Sequence, residues 1–84
     1  MAKLQELRKA SGLSQGKLAQ TIGLSLRTIT SLEQGQRNIN KAELSTLLKL
    51  CLALDCRLSD ILDDPETLDL LRRYEEGQPL SPRQ

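Results

Sequence analysis

Apolar residues recur along this chain three and four positions apart, in short runs broken by glycine, serine or asparagine, which is the period of helices packed on one core. The pattern predicts a first helix over residues 2–10, with Leu4 and Leu7 facing inward and Ser11-Gly12 ending it. A second helix starts at Ser14, an N-cap residue, carries Leu18, Ala19 and Ile22 on one stripe, and stops at Gly23, which tolerates the left-handed conformation. A third begins at once behind Ser25. Its apolar positions are Ile29 and Leu32, which leaves Leu26, Arg27, Thr30, Ser31 and Gln34 on the outward side. So short a turn makes two helices cross steeply, and the third helix then projects from the surface.

Hydrophobic staples sharpen the helix starts, because a residue just before an N-cap packs on the residue four positions into the helix. Leu13 and Leu18 bracket Ser14, Leu24 and Ile29 bracket Ser25, and Ile39 and Leu44 bracket Asn40, where Glu43 is placed to close a capping box. The fourth helix is therefore expected over residues 41–54, with Leu44, Leu47, Leu48 and Cys51 inward and Leu50 and Leu54 partly off that stripe. Residues 56–62 read as a fifth helix burying Leu58, Ile61 and Leu62. Asp64-Pro65 signals a sixth, over residues 65–76, with Leu68, Leu71 and Tyr74 at every third position and Gly77-Gln78-Pro79 as its stop. Residues 1–62 are thus expected to form the domain proper, and 63–84 a C-terminal helix and frayed tail.

Composition narrows the chemistry. The 84 residues contain no Trp, Phe or His and a single Tyr, so leucine and isoleucine must fill the interior. Cys51 and Cys56 have no further Cys or His to complete a tetrahedral metal site, and no cofactor is expected. They read as reduced thiols of a cytoplasmic protein, and no apolar run is long enough to span a membrane. Without histidine, a glycine-rich phosphate loop or a nucleophile beside a base, enzymatic activity is not expected.

The formal net charge of +1 hides an uneven distribution. Up to Leu54, eight lysines and arginines oppose three glutamates; from Asp55 onward, four arginines oppose eight carboxylates. A basic front and an acidic back suit a domain that presents one end to a polyanion. Gly16 and Lys17, in the first turn of the second helix, fit a phosphate held there by backbone N–H groups, helix dipole and lysine.

The stretch LSQGKLAQTIGLSLRTITSLEQGQRNINKAELSTLLKLCLALDCRLSDIL resembles the helix-turn-helix family of lambdoid phage repressors and Cro proteins, the xenobiotic-response-element type. The resemblance spans about residues 4–62. Its specific parts are the Leu-Ser-Gln start, the Ile-Gly-Leu-Ser turn, the Ile-x-x-Leu-Glu-x-Gly end and the Leu-x-x-Ile-Leu close. It implies a lambda-repressor-like five-helix fold in which the helix over residues 26–34 enters the major groove of double-stranded DNA. Carried over by position, Gln15, Gln34, Arg37, Asn38, Asn40 and Lys41 would meet phosphates, joined by Lys17. Leu26, Arg27, Thr30 and Ser31 would face bases, Arg27 forking onto guanine and Leu26 meeting a thymine methyl. Arg8 and Glu33 match the family's ion pair between the first and third helices.

The expected function is a sequence-specific transcriptional regulator, a repressor acting as a homodimer on a palindromic operator. One probe helix reads too few bases to select a site, and the residues left for pairing are Leu50, Leu54, Leu58, Leu68, Leu71 and Tyr74. The alternative is an antitoxin that binds a toxin protein and autoregulates its operon.

Overall fold

The computed structural model describes residues 3–80. Within them the chain forms six α-helices, α1 (Lys3–Ala10), α2 (Gln15–Ile22), α3 (Leu26–Glu33), α4 (Leu44–Leu54), α5 (Leu58–Ile61) and α6 (Pro65–Glu75), with a 3-10 turn at Ile39–Lys41 and no strand among the described residues. The expected start of α1 at residue 2 and the tail beyond residue 80 lie outside the described residues.

The two helices that matter most begin and end as their sequences dictate. The Ser14 side chain accepts from the Lys17 N–H, and Ser25 accepts from that of Thr28. Gly23 closes α2 with φ at 73°, and the next N–H, of Leu24, reaches back to the Ala19 carbonyl at 2.9 Å. Only Gly23, Leu24 and Ser25 separate α2 from α3. Leu13 and Leu24 are half-buried against the core that holds Leu18 and Ile29, as two of the staples require.

The third staple does not form. Asn38, not Asn40, caps this segment: its carboxamide oxygen accepts from the Asn40 N–H at 2.9 Å and winds the 3-10 turn, so α4 starts three residues late, behind Glu43, which makes no side-chain cap bond. Ile39 is buried, but Leu44 stands in solvent.

The inward face of α4 is also rotated from the expected one. Leu47, Leu50, Cys51 and Leu54 are buried, at i, i+3, i+4 and i+7, while Leu44, Leu48 and Leu52 are exposed to 62%, 44% and 83%. A helix reading LSTLLKLCLAL offers two stripes of equal apolarity, and the choice between them is made by α2 and α5, which pack on one side of it. Leu50 and Leu54 therefore belong to the domain's own core and cannot serve as a pairing surface in this fold. Leu58, Leu68 and Leu71 are half-buried against the same core, so α6 folds back on its own domain through two leucines. Tyr74 continues past that contact and is 81% exposed.

Short helices need their ends held. Asp60 accepts from the Arg57 N–H at 2.8 Å to open α5, and the Lys3 ammonium donates to the Ser59 and Leu62 carbonyls at 3.0 and 2.6 Å, satisfying acceptors at its close. Asp64 accepts from the Thr67 N–H and hydroxyl at 3.0 and 2.8 Å, and these bonds hold its carboxyl below the usual carboxylate range.

Candidate nucleic-acid interface

The position of α3 is set by a polar network at its base. Arg8 on α1 donates through Nε to Glu33 Oε2 at 2.5 Å and through Nη2 to Oε1 at 3.1 Å, with both side chains buried. Nη1 of the same guanidinium donates to the Leu13 carbonyl at 2.8 Å, which fixes the approach to α2. Gln15, the first residue of α2, donates through Nε2 to Glu33 Oε1 at 2.8 Å, and its own oxygen receives the Thr30 hydroxyl at a longer 3.4 Å. One carboxylate thus ties three helices together. The expected Arg8–Glu33 pair is present, and Gln15 joins it, a bond between residues 18 apart that helix periodicity gave no reason to expect.

On the far side of that anchor, α3 presents Leu26 and Arg27 fully to solvent, with Thr30 and Ser31 half-exposed one turn on. All four expected base-reading residues lie along one accessible face of the helix, and the core positions Ile29, Leu32 and Glu33 lie on the other. The Ser31 hydroxyl reaches Gln36 at 3.4 Å, a contact long enough to give way to a base edge at little cost.

The expected phosphate contacts divide into three groups. Lys17 is exposed in the first turn of α2, beside an open Gly16 where an added Cβ would meet nothing within 4 Å. Arg37, Asn38 and Lys41 line one groove of about 560 Å³ along the flank of α3, together with Thr28 and Thr46, two hydroxyls that the sequence did not single out, and with Glu43. Gln34 is exposed at the end of α3, where Gly35 turns the chain with φ at 79°.

Asn40 does not belong with them. Its Nδ2 donates to Asp63 Oδ1 at 2.7 Å and to Asn38 Oδ1 at 2.9 Å, while its Oδ1 accepts from the Asp63 and Asp64 N–H groups at 3.0 Å each. Two donors and two acceptor sites are all that a carboxamide has, so this one is spent inside the protein and has nothing left for a phosphate. Gln15 differs in this respect, since one of its two amide hydrogens remains for a phosphate beside α2.

Neither cysteine is near this face. Cys51 is buried and Cys56 half-buried behind α4, both unbridged, and among the described residues no group of His, Cys, Asp and Glu is arranged to hold a metal ion. No helix of the described residues is long and apolar enough to cross a membrane.

A projecting helix anchored at its base, cations on either side and a short turn before it define a helix-turn-helix DNA-binding module. The profile of the Cro/C1-type HTH DNA-binding domain family matches residues 3–66, and the chain belongs to that family. It is similar to an uncharacterized HTH-type transcriptional regulator, YgzD, of Bacillus subtilis (strain 168), at 34% identity over 59 residues covering 70% of this chain and 85% of the relative. Among solved structures it is similar to the restriction-modification controller protein C.AhdI from Aeromonas hydrophila, with a TM-score of 0.63 and 42% identity, covering 71% of this chain and 86% of that one. The protein is an HTH-type DNA-binding transcriptional regulator of lambda-repressor-like fold.

Proposed function

We propose that the protein is a repressor that binds a two-fold symmetric DNA site as a homodimer, with α3 of each copy in the major groove. The observation that carries the reading is the anchored face of α3: Leu26, Arg27, Thr30 and Ser31 point outward from a helix whose base is held by Arg8, Gln15 and Glu33. Arg27 supplies a fork for guanine and Leu26 an apolar contact for a thymine methyl. Lys17 and Gln15 on one flank, and Gln34, Arg37, Asn38 and Lys41 on the other, meet the sugar-phosphate backbone. Repression follows from occupancy, since a helix seated in the groove and flanked by phosphate contacts excludes other proteins from that stretch of duplex.

Pairing is assigned to the exposed row of α4. Leu44, Leu48 and Leu52 fall at i, i+4 and i+8, a single apolar ridge that a two-fold axis can place against itself. One copy reads too few bases to select a site, and two copies put their probe helices about 34 Å apart, one turn of DNA. An antitoxin role would need this same ridge for a different protein.

The test begins with selection from a pool of duplexes with a randomised centre, followed by binding to the winning duplex across a salt series. Each neutralised phosphate contributes about −0.9 to the slope of log affinity against log salt, so a dimer with roughly 6 to 10 contacts gives a steep line. A selected site without two-fold symmetry, or a flat salt dependence, would refute the reading. Recovery of a stable complex with a small protein encoded next to the gene would favour the antitoxin.

A further inference from the structure

The stretch between α3 and α4 carries the groove-lining Arg37, Asn38 and Lys41, yet little apolar packing lies beneath it. A cavity of about 270 Å³ sits under this stretch, lined by Lys3, Leu4, Leu32, Arg37, Asn38 and Asp63 among others. Ile39 is the one residue of 34–41 that is buried. The height of this loop above the core must therefore come from directed bonds, and those bonds converge on Asn40.

We propose that Asn40 is a latch that positions the phosphate-facing loop by tying it to the chain between α5 and α6. The four bonds of its carboxamide span 23 and 24 residues of sequence to Asp63 and Asp64 and clamp Asn38 on the near side. The far end is itself fixed. Lys3 holds the Ser59 and Leu62 carbonyls from α1, and Asp64, immediately after the clamped N–H of Asp63, caps α6 through Thr67. A continuous run of hydrogen bonds thus connects the flank of the DNA face to the first turn of α6. α6 lies outside the two helices of the reading module, yet through this link its placement and the loop's phosphate contacts bias one another, and such coupling acts equally in both directions. The proposal rests on the reading that this loop meets phosphates.

The experiment measures the salt slope and affinity of the full chain on its selected duplex for Asn40→Ala, Asp63→Ala, Arg37→Ala, Asn40→Asp and the double variant Asn40→Asp with Asp63→Asn, with circular dichroism confirming the fold of each. Arg37→Ala removes a phosphate contact directly and is expected to flatten the slope by about one unit. Asn40→Ala touches no DNA, but it is expected to flatten the slope by a similar amount and to lower affinity about tenfold, with Asp63→Ala showing the same effect at smaller size. Loss of stability alone does not change the number of ions released, so the slope separates positioning from folding. Asn40→Asp sets two carboxylates against each other and is expected to bind worst. Adding Asp63→Asn restores a donor–acceptor pair of reversed sense and recovers most of the affinity.

An unchanged slope for Asn40→Ala beside a flattened one for Arg37→Ala overturns the latch and leaves the loop reading intact. An unchanged slope for Arg37→Ala overturns the loop reading and the latch with it. A double variant no better than Asn40→Asp overturns the Asn40–Asp63 pair as the link.

Discussion

Arg8 and Glu33 meet 25 residues apart in a buried two-bond pair that joins the first helix to the last residue of the reading helix. Such a pair is weak evidence for stability, because removing two charges from water costs about as much as their attraction returns. It does fix geometry, since the guanidinium fork and the carboxylate accept few relative orientations. Breaking it from one side leaves a buried charge unpaired. Glu33→Gln and Arg8→Met are each expected to lose on the order of 3–5 kcal/mol in urea unfolding. Arg8→Met combined with Glu33→Leu should recover much of that stability, yet bind the selected duplex with less discrimination, because Gln15 and Thr30 have lost their anchor. A double variant that discriminates as well as the parent would show that packing alone aims α3.

Arg27 and Lys17 are both exposed cations near the expected DNA face, and they separate reading from holding. Arg27→Ala is expected to cost on the order of 1–3 kcal/mol on the selected site and to erase preference at one base pair, measured by competition with duplexes substituted one pair at a time. Lys17→Ala should weaken every duplex by a similar factor and flatten the salt slope by about one unit. Uniform weakening by Arg27→Ala would place its guanidinium on the backbone instead.

How much of this was legible in the chain depends on the range of the interaction. The starts and stops around α2 and α3 are local chemistry, a serine cap on each side of a left-handed glycine, and they appear where Ser14, Gly23 and Ser25 put them. The Arg8–Glu33 pair was reached through family resemblance, since nothing in helical periodicity points from residue 8 to residue 33. Asn40 was misassigned twice, as a helix cap and as a phosphate ligand, because its partners Asp63 and Asp64 lie 23 and 24 positions away and no local pattern announces them. The face of α4 was misread for a different reason. Leu44, Leu48 and Leu52 are as apolar as Leu47, Leu50 and Leu54, so only the tertiary arrangement decides which row is inside.

The two thiols behind α4 give a prediction in pH. Burial, foremost, and then the neighbouring Cys51 and the carboxylates of Asp60 and Asp55 push the Cys56 thiol up to about 12; Cys51 is raised as well, chiefly by burial. An acid with a folded pKa above its unfolded one stabilises the fold while it stays neutral. That contribution is complete below the unfolded value of about 8.5 and is lost as pH climbs from there toward 12. The urea midpoint of the parent should therefore fall faster between about pH 9 and pH 11 than that of Cys56→Ser. At neutral pH, Cys56 should react with a disulfide reagent far more slowly than a free thiol, because the attacking thiolate is scarce. Rapid labelling of the folded chain at neutral pH would contradict the buried placement.

The exposed row on α4 provides the sharpest test of pairing. Leu52, 83% exposed, makes little contribution to its own core, so Leu52→Glu should leave urea stability within about 0.5 kcal/mol of the parent, as surface substitutions usually do. If Leu44, Leu48 and Leu52 meet their counterparts across a two-fold axis, the same change sets two carboxylates close together in an apolar seam, and the dimer should dissociate. Light scattering then reads half the parent's mass. Binding to a two-fold site becomes weaker, and the variant's affinity for a half-site should match the parent's, because the face of α3 is untouched. Tyr74→Ala, on the stretch of α6 that extends beyond its own core contact, distinguishes the neighbouring surface. It should leave the mass unchanged if the seam is confined to α4, and halve it if α6 also takes part. A Leu52→Glu chain that remains dimeric with unchanged stability would remove α4 from the interface altogether.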